Sequence, residues 1–358
     1  MTHPRTGVVL VSLAIASCWA CIGPSETWVS AGSPQETERF RLGLQSRLAG
    51  AGDAPVITGE HAWLFFGPEL RHLTVGPFWG HAASAVSRAT RPEDADPLPA
   101  ILDFRRQLDD LGVRLLVVPV PAKAIIYPDE VAPGPFDTGR RLDEYDEAFI
   151  DVLRGEHVDV LDLTPVFLEN LDHPEGHLYC RQDTHWSGPG TVLAAERIAA
   201  IAKHASWYAD VPRAAIETEW RSVEITGDLW RLLGDDSRPR ERVRLRFVGT
   251  RAGPVLEPVA TTSDSPVLVL GDSHGLVFHA GDDMHARGAG LADQLAYELG
   301  FPVELIAVRG SGATPARFNL LRQARRTDGY WGRKRLVVWV FSVREFTESD
   351  GWRRVPVL

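Results

Sequence analysis

Two short segments of this 358-residue chain carry side chains suited to acyl transfer. Ser273 stands in Ser265-Pro-Val-Leu-Val-Leu-Gly-Asp-Ser273-His-Gly, an apolar run of strand length that stops at Gly-Asp-Ser. His185 stands in Tyr179-Cys-Arg-Gln-Asp183-Thr-His185-Trp-Ser-Gly-Pro-Gly, with an acid two residues ahead of it and helix-starting residues behind it. A serine hydroxyl is a poor nucleophile at neutral pH until a base takes its proton, and that base works best when a carboxylate fixes its tautomer. In extended backbone, residues i and i+2 point the same way. Asp183 is therefore expected to bond one imidazole nitrogen of His185 and leave the other for Ser273. Backbone N–H groups of Ser273 and of the Arg309-Gly310-Ser-Gly312 turn are candidates for an oxyanion hole, since glycines allow close approach. Lys123, Arg309 and Arg344 are candidate contacts for an acidic sugar, and Trp186 is a candidate stacking surface for a sugar ring; a structural or surface charge for each cation, and buried packing for the tryptophan, are the default alternatives.

The elements around these residues alternate. Helical spacing over 100–111, 143–154, 188–204, 289–299 and 314–326 interleaves with strand runs at 114–120, 158–163, 266–270, 303–308 and 336–341. Such alternation predicts a three-layer α/β/α sandwich around a mainly parallel sheet. Ligands of such sheets bind beyond the carboxyl ends of the strands, where Ser273, Arg309–Gly312 and Ser342–Glu345 would all lie. Residues 205–262 interrupt the alternation and read as an insertion with β-structure, notably the alternating Val243-Arg-Leu-Arg-Phe-Val248.

The N-terminal part reads as an export signal over 1–22: a basic start, then the apolar run Gly7–Ala16, too short to span a bilayer. Ile15-Ala16-Ser17-Cys18 resembles a lipoprotein box, which would make Cys18 a lipid anchor; ordinary cleavage and an uncleaved anchor are the alternatives. Residues 23–55, rich in Ser, Gly, Glu and Pro, read as a linker with a short helix near 36–48, and the domain proper as 56–358. Cys21 and Cys180 either pair, as an oxidising compartment allows, or stay thiols. Three cysteines cannot build a four-cysteine zinc site. His173, His177, Asp183 and His185 form a competing cluster of metal-ligand types, but Pro174 and Gly176 disfavour a helix presenting the two histidines on one face, so neither metal nor cofactor is expected. A net charge of −10 argues against a nucleic-acid partner.

Gly271-Asp-Ser-His and Asp183-Thr-His-Trp186, with Trp63-Leu-Phe, Val118-Pro-Val-Pro-Ala-Lys123-Ala-Ile-Ile-Tyr127-Pro and Val337-Val-Trp-Val-Phe-Ser, resemble the SGNH-hydrolase-like domain of the AlgX/AlgJ family of polysaccharide O-acetyltransferases. The resemblance covers about residues 56–346, and there too the Asp and His precede the Ser. It implies Ser273 as nucleophile, His185 as base, Asp183 as orienting acid and an acetyl-serine intermediate. It further implies a polysaccharide acceptor outside the cytoplasm, in the periplasm or cell envelope, and a membrane-bound O-acyltransferase as donor. The chain stops soon after its last strand, which suggests the AlgJ layout without the carbohydrate-binding module of AlgX. Two other readings use the same residues: an esterase passing the acyl group to water, and an envelope scaffold that retained the fold without catalysis.

Overall fold

A computed structural model describes residues 29–358. The 1–22 segment, Cys18 and Cys21 lie outside the described residues. Among the described residues ten strands occur in chain order: β1 Val56–Thr58, β2 Leu64–Phe66, β3 Arg114–Val120, β4 Asp159–Val160, β5 Glu217–Ile225, β6 Glu241–Ala252, β7 Val255–Pro258, β8 Val267–Gly271, β9 Glu304–Ala307 and β10 Leu336–Ser342. The main sheet has the order β4-β3-β10-β8-β9 and is parallel throughout. At its centre β10 is buried at every position, which is why Leu-Val-Val-Trp-Val-Phe-Ser reads as a continuous apolar run without alternation. Helices flank this sheet, making the α/β architecture that the alternating pattern predicts.

Segment 205–262 carries an antiparallel sheet, β5-β6-β7, with Trp220 opposite Arg246 and the short helix Asp228–Leu233 between β5 and β6. The 158–163 run is shorter as a strand than its sequence suggests: only 159–160 pair with β3, and a helix begins at Thr164. The short helix expected near 36–48 is longer than the sequence suggests and packs on the domain. Residues Pro34–Ala51 form an 18-residue helix, capped by Ser33, that buries Phe40 and Leu44 in the main core. Leu48 and Ala51 pack beside this i,i+4 pair, and Arg47 bonds the Val131 carbonyl at 2.9 Å. Among the described residues, no helix is long and apolar enough to cross a membrane.

Candidate active site

The site is built at the carboxyl ends of β3, β8 and β10. At the end of β8 a Cβ on Gly271 would collide with the Val340 carbonyl oxygen, so glycine allows the strand to close on β10 where the chain turns. A 3-10 turn, Ser273–Gly275, follows. Asp272, wholly buried, holds it: Oδ1 accepts the His274 N–H (2.8 Å) and His274 Nδ1 (3.1 Å), while Oδ2 accepts the Ser342 N–H of β10 (2.8 Å). Burial opposes charge on Asp272, but His274 and Arg344 outweigh it and hold the carboxyl below its ordinary range. Ser273 heads this turn at 6% exposure.

The Asp183–His185 segment is a tight loop closed by a bridge between Tyr179 and Trp186, with the Cys180 N–H bonded to the His185 carbonyl at 3.2 Å and the Ser187 N–H to the Leu178 carbonyl at 2.8 Å. Inside it, Asp183 Oδ1 accepts both the His185 N–H (3.1 Å) and Nδ1 (2.6 Å). The i,i+2 geometry expected from the sequence is thus present. Burial again opposes the charges, yet each partner favours the other's charged form: Asp183 is held well below the carboxylate range, and His185 is raised above its ordinary value. His185 Nε2 is buried and has no hydrogen-bond partner. The His185 imidazole lies 4.9 Å, centre to centre, from that of His274, which adjoins Ser273. The two segments singled out in the sequence therefore meet.

Several groups holding this loop carry no local sequence signal. The 217–258 segment clamps it: Glu241 at the start of β6 accepts the N–H groups of Arg181 and Gln182 (2.9 Å each), and Asp228 accepts the Thr184 N–H (2.8 Å) while donating its own N–H to Asp183 Oδ2 (2.8 Å). A Cβ on Gly227 would collide with the Gln182 carbonyl oxygen. His285 Nε2 bonds Asp183 Oδ2 at 2.9 Å. Behind Ser273, Glu345 accepts from Ser311 Oγ (2.7 Å) and the Ala313 N–H (3.3 Å); burial, with Asp272 nearby, pushes its carboxyl up to about 7.

Two of the candidate sugar contacts take the structural alternative. Lys123 is wholly buried, and its Nζ donates to the carbonyls of Cys180 (3.0 Å) and Asp183 (2.8 Å), so it braces the loop carrying Asp183 and His185 from inside. Trp186 is also wholly buried, its ring 5.2 Å from that of His274, and offers no face to solvent. Arg309 stands on the rim, half exposed, with its guanidinium clasped by Asp283. Arg344 is buried over Phe66, 5.5 Å from the ring centre, with Nη1 lacking a hydrogen bond. Gly310 is exposed with φ +84°, whereas Gly312 presses against the Ser273 turn, where an added Cβ would stand 2.8 Å from Asp272 N. Cys180 is buried, its thiol 3.6 Å from the Trp186 carbonyl.

The rival metal cluster does not converge. His177 lies edge-on to Trp63 and Tyr127. Among the described residues, the His, Cys, Asp and Glu atoms that gather within 4.8 Å belong to Asp183, His185 and Asp228, and those of Asp183 and His185 are spent on each other.

The chain was also compared with known proteins. Residues 56–343 match the family described as "SGNH hydrolase-like domain, acetyltransferase AlgX". The "Probable alginate O-acetylase AlgJ" of Pseudomonas aeruginosa is 26% identical over 157 residues, covering 44% of this chain and 35% of that protein. The "Alginate biosynthesis protein AlgX" of Pseudomonas fluorescens is 30% identical over 150 residues, covering 39% of this chain and 30% of that one. The matched region thus spans about a third of each of these two relatives. The O-acetyltransferase domain of Pseudomonas putida AlgJ superposes with a TM-score of 0.59 at 20% identity, over 82% of this chain and 93% of that one. Pseudomonas aeruginosa AlgX superposes at 0.55 and 18%, over 80% and 62%. At such identities the superpositions establish the fold. By the match over 56–343, the chain belongs to the AlgX family of SGNH hydrolase-like acetyltransferase domains.

Proposed function

We propose that this protein is an O-acetyltransferase that carries an acetyl group on Ser273 and passes it to a hydroxyl of a polysaccharide outside the cytoplasm. One observation carries the reading: His185 has its Nδ1 fixed by Asp183 and its buried Nε2 unbonded, beside the turn that Ser273 heads. In the first half-reaction Ser273 Oγ attacks the acetyl carbonyl and its proton passes to His185 Nε2. The Asp183 carboxylate stabilises the imidazolium, and the donor's leaving group departs with that proton. In the second, His185 takes the proton of the acceptor hydroxyl as that hydroxyl's oxygen attacks the acetyl-serine carbonyl; the ester bond to Ser273 Oγ breaks, and His185 returns the proton to Oγ. Backbone N–H groups near Ser273, Gly310 and Gly312 are the candidate oxyanion donors, and Arg309 and Arg344 the candidate cations for an acidic acceptor. The polysaccharide follows from the names of the relatives. A membrane-bound O-acyltransferase as donor, and a lipid anchor at Cys18, complete the proposal from the family resemblance.

The test is a paired assay on the purified protein, with an activated acetyl ester and an oligosaccharide acceptor. Acetylated oligosaccharide, absent with Ser273→Ala, is expected. Acetate release alone, at a rate the oligosaccharide leaves unchanged, would replace the transferase by an esterase. Neither product from a folded protein would leave the scaffold reading.

A further inference from the structure

His285 touches the triad carboxylate from the side opposite His185. Asp183 Oδ1 is occupied by His185; Oδ2 receives the Asp228 N–H and His285 Nε2 at 2.9 Å. The His285 side chain is 5% exposed, and its ring lies 5.8 Å from that of Phe278. Its backbone stands at φ +73°, a region that residues with a Cβ rarely adopt, and Phe278 (+61°) and Asp282 (+52°) share that sign. An outlier of this kind persists only where its surroundings fix it, and such outliers cluster at working sites. Here the fixing bonds are visible. The Phe278 N–H bonds the Met284 carbonyl and the Gly281 N–H bonds the Ala286 carbonyl, each at 2.8 Å. Asp283, two residues before His285, is held by the Arg309 guanidinium, and its carbonyl receives Arg231 at 3.3 Å.

We propose that His285 is a positioning residue: by donating Nε2–H to Asp183 Oδ2 it keeps the carboxylate turned toward His185 and offsets part of its negative charge. Through Arg309 and Asp283, the rim of the site holds this second histidine in place. The inference rests on His185 being the base for Ser273. The groups facing His185 are Asp183, Asp228, Asp272 and His274, and Asp183 also lies near Lys123 and Glu241. Among the described residues, Oδ2 is bonded by the Asp228 N–H and by His285 Nε2. Losing the His285 donor leaves a more basic carboxylate against His185, so the imidazole should hold its proton to higher pH.

The experiment compares wild type, His285→Gln, which keeps a donor near the same place, and His285→Leu, which has none. Two readouts are taken: the pH profile of Ser273 acylation by p-nitrophenyl acetate, and the ¹⁵N titration of the imidazoles by NMR. We expect His285 to be the Nε2–H tautomer in wild type. In the Leu variant the acid limb of acylation and the His185 titration should both move up by about half a pH unit or more, with the Gln variant near wild type. Arg309→Gln should move both the same way by less. An Nδ1–H tautomer of His285 in wild type would overturn the proposal, and that measurement needs no variant to fold. Equal rate losses in Gln and Leu with an unmoved limb and titration would overturn it too. Failure of wild-type Ser273 to acylate would instead remove the proposed function, while the His185 titration still decides the role of His285.

Discussion

Replacing Lys123 by Met separates a brace from a substrate contact. The side chain is wholly buried, and burial pushes its ammonium below the ordinary lysine range against the pull of Glu69 and Glu241. Its two bonds, to the Cys180 and Asp183 carbonyls, are charge-assisted. Methionine fills a similar volume but leaves both oxygens unsatisfied, at about 1–3 kcal/mol each. Removing the buried ammonium recovers part of that cost, because an ion in a dry site is expensive even when paired. The net loss expected is about 2–4 kcal/mol, seen as a lower denaturation midpoint at unchanged m-value. Asp183 would lose its backbone anchor, so Ser273 acylation should slow at saturating donor. The assay is urea denaturation followed by burst kinetics with p-nitrophenyl acetate. A Lys123→Met protein with wild-type stability and acylation, but a raised acceptor KM, would refute the reasoning and restore Lys123 as a sugar contact.

Other consequences follow from the same geometry. Gly227→Ala should drive a methyl into the Gln182 carbonyl, costing about 1–3 kcal/mol in a denaturation curve and slowing Ser273 acylation without loss of secondary structure by circular dichroism. Glu345 has its folded value raised from 4.5 to about 7, so its contribution to stability is present below the unfolded value and lost as pH rises through 7. Glu345→Gln should therefore match wild type near pH 4 and exceed it at pH 8 by on the order of 3 kcal/mol. The raised value of His185 places the rise of acylation rate above pH 6.5, and the stabilisation from its pairing is present below that pH and fades as pH rises through the folded value. Asp183→Asn should move the rate limb down and lower the plateau by about 10⁴-fold, the scale seen when a triad acid loses its charge.

Features of this fold are legible in the sequence where they are local. Strands buried on both faces declare themselves as unbroken apolar runs, so β3, β8 and β10 were legible. Asp183 and His185 were legible because their bond spans two residues along one extended segment. Asp228 and His285 bond the same carboxylate from 45 and 102 residues away, distances at which no spacing rule operates. Residue type left Lys123 and Trp186 open between a sugar contact and a structural role, because burial is decided by distant neighbours such as Glu69, Glu241 and His274. The helix near 36–48 was legible, but its full extent over 34–51 and its docking were not, since its composition is polar and the core positions Phe40 and Leu44 are few. The break at 205–262 was visible as lost alternation, but not its role as a clamp, because Gly227, Asp228 and Glu241 act through backbone groups of the 181–184 loop.

The most direct measurement is the intact mass of the protein after brief exposure to p-nitrophenyl acetate, followed by peptide mapping, for wild type, Ser273→Ala and His185→Ala. The account predicts one acetyl group on the peptide containing Ser273 in wild type, none in Ser273→Ala and a much slower gain in His185→Ala. An acetyl group that accumulates equally in all three folded proteins, or none in wild type, would contradict it.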